Sequence, residues 1–263
     1  MTQVVDDPIL VTRDGAIATV LLNRPARLNA LDRGMWTELG AAMQNLSADD
    51  ALRCIVVRGA GDKSFAAGAD IAEFANERAD AKQAKEYGRI IHETMQAVAR
   101  CRHPTVAMIK GACVGGGLEI AAMCDLRVAG QSSRFGIPVN RLGLTMGYGE
   151  LMGLLALVGR AVALEILLEG RVFDADEACR KGLVNRVVPD DKVEEEAYAT
   201  ARRIAEGAPL VNQWHKQFID RLAVAAELAP GDWDEGFECF DTEDYREGVA
   251  AFLAKRKPDF KGR

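Results

Sequence analysis

The stretch Gly111-Ala112-Cys113-Val114-Gly115-Gly116-Gly117-Leu118-Glu119 follows the apolar run of residues 105–109, which Pro104 announces. It has a twin. Ser64-Phe65-Ala66-Ala67-Gly68-Ala69-Asp70-Ile71 follows a second short apolar run at residues 54–57. In each, a buried strand ends in small residues and a helical pattern begins. Small residues let a ligand approach the main chain closely, and a helix start offers N–H groups with no partner in their own helix. Two such donors from two loops could hold a developing oxyanion. A pair of tight strand-to-helix turns with no further role would read the same way. A phosphate loop fits poorly, because no Lys-Ser/Thr follows Gly117 and no GxGxxG follows a first strand. No GxSxG is present to hold a nucleophilic serine. His92, His103 and His215 read as ordinary helical or strand-edge residues.

Outward from these segments, residues 9–13 and 17–22 read as strands of a hairpin across Asp14-Gly15. Asp32 is placed to cap a helix running to about residue 46, with Met35, Leu39 and Met43 along one face. Residues 80–100 have helical spacing, with Ile90, Ile91, Met95 and Val98 inward, and residues 126–129 form a further buried strand. Strands that alternate with helices imply α/β layers and parallel pairing. After about Tyr148 the strand signal shrinks to residues 183–188. Helices are predicted over 149–157, 161–168, 174–181, 190–206, 209–227 and 243–255. Asp174 with Glu177 resembles a capping box, and Pro209 suits a first helical turn. Trp214, Phe218 and Leu222 need cover from their own core or from a partner surface. The division that follows is an α/β core over residues 1–200 and a helical region over 201–263.

Of the 263 residues 49% are hydrophobic and 27% charged, enough to bury a sizeable core. A formal charge of -6 argues against a nucleic-acid surface, yet local basic clusters would still serve an anionic small ligand. Cysteines at 54, 101, 113, 124, 179 and 239 form no CxxC and no zinc-ligand spacing. They predict reduced thiols, no metal and a cytoplasmic setting. Residues 1–8 are polar and acidic, unlike a signal peptide. No apolar run approaches the roughly 20 residues of a membrane span.

Taken together, several segments resemble the crotonase (enoyl-CoA hydratase/isomerase) superfamily. They are Leu22-Asn23-Arg24-Pro25 through Leu28-Asn29-Ala30-Leu31, Phe65 to Ile71, and Gly111 to Glu119 with Cys124-Asp125. Phe135-Gly136-Ile137-Pro138, Gly182-Leu183-Val184-Asn185 and the ending Phe252-Leu253-Ala254-Lys255-Arg256-Lys257-Pro258 also fit. These motifs span nearly the whole chain in order. The resemblance implies a spiral of β-β-α units with a small perpendicular sheet, a helical C-terminal trimerisation region, and assembly as a homotrimer or a dimer of trimers. It implies an acyl-CoA or enoyl-CoA thioester substrate, with coenzyme A arriving as part of it and no permanently bound cofactor. The amides of Ala69 and Gly116 fall where the family holds the thioester carbonyl, and Glu119 falls on a catalytic glutamate. Ala66, Ala67, Asp70 and Ile71 fall where main chain holds the adenine. Arg24, Arg27 (displaced one position from the family's usual basic residue) and the tail of Lys255, Arg256, Lys257 and Lys261 become candidates for the CoA phosphates.

One residue breaks the pattern. The hydratases carry a second glutamate after the proline of Phe-Gly-x-Pro, and here that residue is Val139. Adding water across a conjugated double bond needs a base for water and an acid for the α-carbon, and valine is neither. Glu119 alone could serve both transfers, or Glu150, Tyr148 or Asn140 could supply the missing group. Otherwise the chain could run another enolate reaction, as an isomerase, decarboxylase or C–C lyase, or bind acyl-CoA without turnover. Val139 with Leu142, Leu144 and Met146 makes one side of the acyl pocket apolar, opposite residues 76–87, which points to an apolar or branched acyl chain.

Overall fold

A computed structural model describes residues 7–224, 231–235 and 237–263 of the chain. Ten strands follow one another as β1 (Ile9–Asp14), β2 (Ile17–Leu22), β3 (Cys54–Gly59), β4 (Ser64–Ala66), β5 (Thr105–Ile109), β6 (Ala112–Val114), β7 (Leu126–Gly130), β8 (Arg134–Gly136), β9 (Phe173–Asp174) and β10 (Arg186–Val188). They divide between a six-stranded sheet in the order β1-β2-β3-β5-β7-β10 and a four-stranded sheet in the order β4-β6-β8-β9. Three long strands of the first sheet run into short strands of the second, β3 into β4, β5 into β6 and β7 into β8. A helical segment then returns the chain to the next long strand. This alternation is the β-β-α spiral, and the short sheet is a stack of its turns.

The large sheet is parallel except for the β1–β2 hairpin, in which Asp14 pairs with Ile17 across Gly15 and Ala16. Its central strands are covered on both faces. Ile55 and Val57 face one apolar cluster with Ala107, Ile109 and Ala129. Cys54 and Val56 face another with Val106, Met108 and Val128. That two-sided burial explains why these strands read as unbroken apolar runs and not as alternating ones.

The helices are α1 (Arg33–Ser47), α2 (Phe74–Glu77), α3 (Ala81–Ala99), α4 (Gly116–Met123), α5 (Tyr148–Glu169), α6 (Ala175–Arg180), α7 (Val193–Ala205), α8 (Pro209–Val224), α9 (Asp232–Glu235) and α10 (Glu243–Leu253). Asp32, Asp80, Asp174 and Thr242 each accept a backbone N–H of the first turn that follows them, which satisfies donors the helix itself cannot. The inward face of α3 is Tyr87, Ile91, Thr94, Met95 and Val98; Ile90 is only half-buried. Helix α7 lays Val193, Ala197 and Ala201 on the second cluster, so residue 200 falls inside an element packed against the core sheet.

Three expectations change. The strand expected at 183–188 pairs only over Arg186–Val188, because Gly182, at φ 80°, and the bonded turn around it take up the residues before it. Residues 225–227 of the helix expected over 209–227 lie outside the described residues, as do residues 1–6 of the acidic start. Finally, α5 is long and apolar enough to cross a membrane by length and composition alone, against the expectation that no run would be. The sequence reads it as two pieces because Gly159, at φ 69°, breaks the helical geometry midway. Much of its apolar surface, including Met152, Leu155 and Leu168, is exposed.

Candidate active site

The two glycine-bearing segments meet. They continue adjacent strands of the short sheet, since β4 pairs with β6 in parallel. The first turns away from β4 and stays extended. Leu31 N–H donates to Gly68 O and Asp70 N–H donates to Leu31 O, both at 2.8 Å, so Ala69 sits in a one-residue parallel bridge. That bridge keeps the helix from starting at Ala69. Asp70 caps a single 3₁₀ turn, Ile71–Glu73, by accepting Ala72 N–H. Buried Asn29 holds the loop from below by donating to Ala60 O and Ser64 O, while Arg24 N–H donates to its side-chain oxygen. Leu28 and Asn29 both sit at positive φ, 53° and 56°.

The second segment enters α4 directly. Gly115, at φ 52°, turns the chain and donates to Gly136 O. All eight residues of α4 are buried. Glycine is required by contact. A Cβ on Gly117 would stand 2.2 Å from Ala66 O, and one on Gly116 would stand 2.9 Å from the edge of the Trp36 ring. The helix start is thereby seated against β4. A Cβ on Gly116 would also lie 3.6 Å from Ala69 N, and one on Gly68 would lie 3.5 Å from Gly116 N. The two amides therefore border one small space. Among the described residues neither has an acceptor in the chain.

That space opens into a cavity of about 150 Å³. Its walls bring together Ala67, Ala69, Ile71, Gly116, Glu119 and Val139, all singled out from sequence. Leu142, Leu144 and Met146 line it as expected, and Glu150 enters it as well. Arg24, Arg27, Ala66, Asp70 and Lys257 do not line it. Ala66 is buried under Gly117. Arg24 pairs with Asp32 at 2.9 Å and Asp70 at 3.0 Å, linking the start of α1 to the first loop. Arg27 is exposed and makes no ion pair among the described residues. In the tail Lys257 pairs with Glu206, Arg256 with Glu247 and Lys261 with Asp259, all near the surface.

Sequence reading missed Trp36, Phe74 and the individual role of Arg78 in the wall. Trp36 is a buried residue of α1 whose ring closes the floor beneath Gly116. The Arg78 guanidinium lies over the Phe74 ring at 4.5 Å and the Tyr87 ring at 4.0 Å. Trp36 Nε1, Arg78 Nε and one Arg78 terminal nitrogen are buried with no acceptor among the described residues. The walls thus combine unused donors with two carboxylates.

Glu119 stands one turn into α4, in the same cavity as the two amides. Burial pushes its carboxyl up to about 8, Glu150 adds to the rise, and Arg78 opposes it. Burial raises the Glu150 carboxyl too, against the Gly147 N–H it accepts and the nearby Arg78 and His92. A carboxyl held protonated near neutrality, in a cavity bordered by two backbone N–H groups without acceptors, can exchange a proton with a ligand bound there. Among the described residues no cluster of metal ligands occurs.

Comparison with known proteins gives one answer. A family profile described as enoyl-CoA hydratase/isomerase matches residues 12–263. A probable enoyl-CoA hydratase of Rhizobium meliloti is 40% identical over 98% of this chain and 99% of its own. A crotonyl-CoA hydratase of Syntrophomonas wolfei is 35% identical over 96% and 97%. The crystal structure of an enoyl-CoA hydratase/carnithine racemase from Magnetospirillum magneticum superposes with a TM-score of 0.96 at 51% identity, covering 98% of this chain and 96% of that one.

Proposed function

This chain belongs to the enoyl-CoA hydratase/isomerase family, and we propose that it is an enzyme adding water to, or removing it from, a coenzyme A thioester. The thioester carbonyl accepts from the amides of Ala69 and Gly116, and Glu119 is the main acid and base at the carbons beside it. The observation that carries this reading is the placement of a buried, easily protonated Glu119 in the cavity that both amides border. As negative charge moves onto the carbonyl oxygen, the two N–H groups gain strength where water is excluded. The enolate is lowered relative to the ground state, which speeds the reaction and does not merely tighten binding.

The substrate brings its own coenzyme A, and no bound cofactor enters the reaction. The main chain from Ala66 to Ile71 offers a cradle for the adenine, with Ile71 exposed beside the cavity mouth. Arg27 and Lys257 are exposed cations for the phosphates; Arg24 is available to them only by loosening its ties to Asp32 and Asp70. Ile91, Val139, Leu142, Leu144 and Met146 favour an apolar acyl chain. The exposed apolar surface of α5, with Ile219, Leu222, Phe252 and Leu253 nearer the C-terminus, supports a homotrimer or dimer of trimers. Light scattering on the purified chain reads that directly. The buried thiols of Cys54, Cys101, Cys113 and Cys124 support a reducing compartment, the cytoplasm.

Val139 favours a second reading, a different enolate reaction such as isomerisation, decarboxylation or C–C cleavage, or acyl-CoA binding without turnover. The deciding experiment follows loss of conjugated-enone absorbance across short enoyl-CoA thioesters, crotonyl-CoA included, for wild type and Glu119→Gln. Turnover that the variant loses supports the hydratase. Tight binding of saturated acyl-CoA with no turnover moves the assignment to the second reading.

A further inference from the structure

We infer that Glu150 is the second carboxylate of the reaction, delivered from α5 in place of the residue after Pro138. The inference rests on the hydratase reading above. Tyr148, Glu150 and Asn140 are the candidates named above for the missing group, and the fold sends them to different places. Tyr148 is 91% exposed. Glu150 is two residues further on, about 200° round the helix, and lines the cavity with Glu119. Asn140 donates to Leu168 O beside Gly170, at the far end of α5. Val139 lines the same cavity, so the space a glutamate would fill there is left to a carboxylate arriving from the next helix.

The local structure holds Glu150 for this work. Its carboxylate accepts the Gly147 N–H at the start of α5, and among the described residues its other oxygen has no partner. The groups that act on it are Gly147 N–H, Arg78 and His92. Two carboxylates sharing a largely buried cavity do not both ionise readily. Arg78, stacked on two rings and paired with neither, offsets one negative charge. The resting pair therefore holds one proton between them and titrates as a unit.

One carboxylate and one carboxylic acid are what hydration needs. The ionised member takes a proton from water while the water oxygen bonds to the β-carbon. The π electrons move toward the α-carbon and the carbonyl oxygen at the two amides. The protonated member then gives its proton to the α-carbon as the carbonyl re-forms. One water has been added across the double bond, and the pair again holds one proton.

The test compares wild type, Glu150→Gln and Glu119→Gln on crotonyl-CoA from pH 5.5 to 9.5, with calorimetric binding of butyryl-CoA as a check on the fold. Glutamine still accepts from Gly147 N–H, so the helix start survives in the Glu150 variant. The expected result is a loss of about 10²-fold or more in kcat for Glu150→Gln, butyryl-CoA affinity within about threefold of wild type, and loss of the coupled two-limbed pH profile. Wild-type kcat and pH profile in Glu150→Gln, alongside an inactive Glu119→Gln, overturn the inference and leave the hydratase reading standing. A wild type that turns over none of the conjugated thioesters overturns both.

Discussion

The two loops that border the cavity deliver the same group, a backbone N–H, by opposite means. The loop through Ala69 is shallow and tied by discrete bonds: the bridge to Leu31, the Asn29 amide beneath it and the Arg24–Asp70 pair at its edge. The loop through Gly116 is buried and held by shape, with no room for a side chain between α4 and Ala66 or Trp36. Bonded loops fail a little at a time, since each link contributes about 1 kcal/mol. A close-packed helix start fails at once when an atom is added, because the interior does not deform smoothly.

Breaking the packed side should therefore give the largest effect. Gly117→Val places carbon against Ala66 O and must lift α4 from β4. We expect hydration to fall below detection and thermal stability to drop by several kcal/mol, read by circular dichroism melts. Removing charge from the same helix should separate activity from stability. Glu119→Gln should lose 10²–10⁴-fold in kcat yet melt higher at alkaline pH. The sign follows from its folded carboxyl near 8 against an ordinary 4.5. A raised carboxyl contributes stability that is fully present below 4.5 and is lost as pH rises through 8, at about 1.4 kcal/mol per pH unit. The variant, which does not ionise, should match wild type near pH 4.5 and exceed it by a few degrees at pH 8.5.

On the bonded side the expected effects are smaller. Arg24→Gln cuts two partly buried ion pairs and should cost about 1 kcal/mol, raising KM several-fold while kcat changes less, as steady-state kinetics would report. Wild-type kcat/KM should itself fall as pH rises through about 8, when the last proton leaves the carboxylate pair. As a baseline, Gly88→Ala in α3 meets nothing within 4 Å and should stabilise by about 1 kcal/mol with unchanged turnover.

The same contrast explains what the sequence made legible. Packed, periodic features announce themselves: the apolar runs of β3 and β5, the aspartates that cap α1, α3 and α6, and the glycines whose neighbours leave no room. The short strands β4, β6, β8 and β9 do not, because two or three residues carry no period. They were implied only by family resemblance. Trp36 and Arg78 were invisible as site residues because each faces the cavity through an interhelical contact that no local spacing encodes. Glu150 was visible as one of three neighbours of Val139. Only the rotation of α5 separates it from Tyr148, and helical geometry alone carries that distinction.

Every residue around the cavity lies between Trp36 and Glu150. The chain beyond them forms the greater part of α5, the outer cover of the sheet and the terminal helices, and gives the reaction chamber none of its walls. A substitution beyond residue 150 therefore reaches the cavity only through packing, by way of α5 behind its wall or of β9, β10 and α7 on the two sheets that carry the loops.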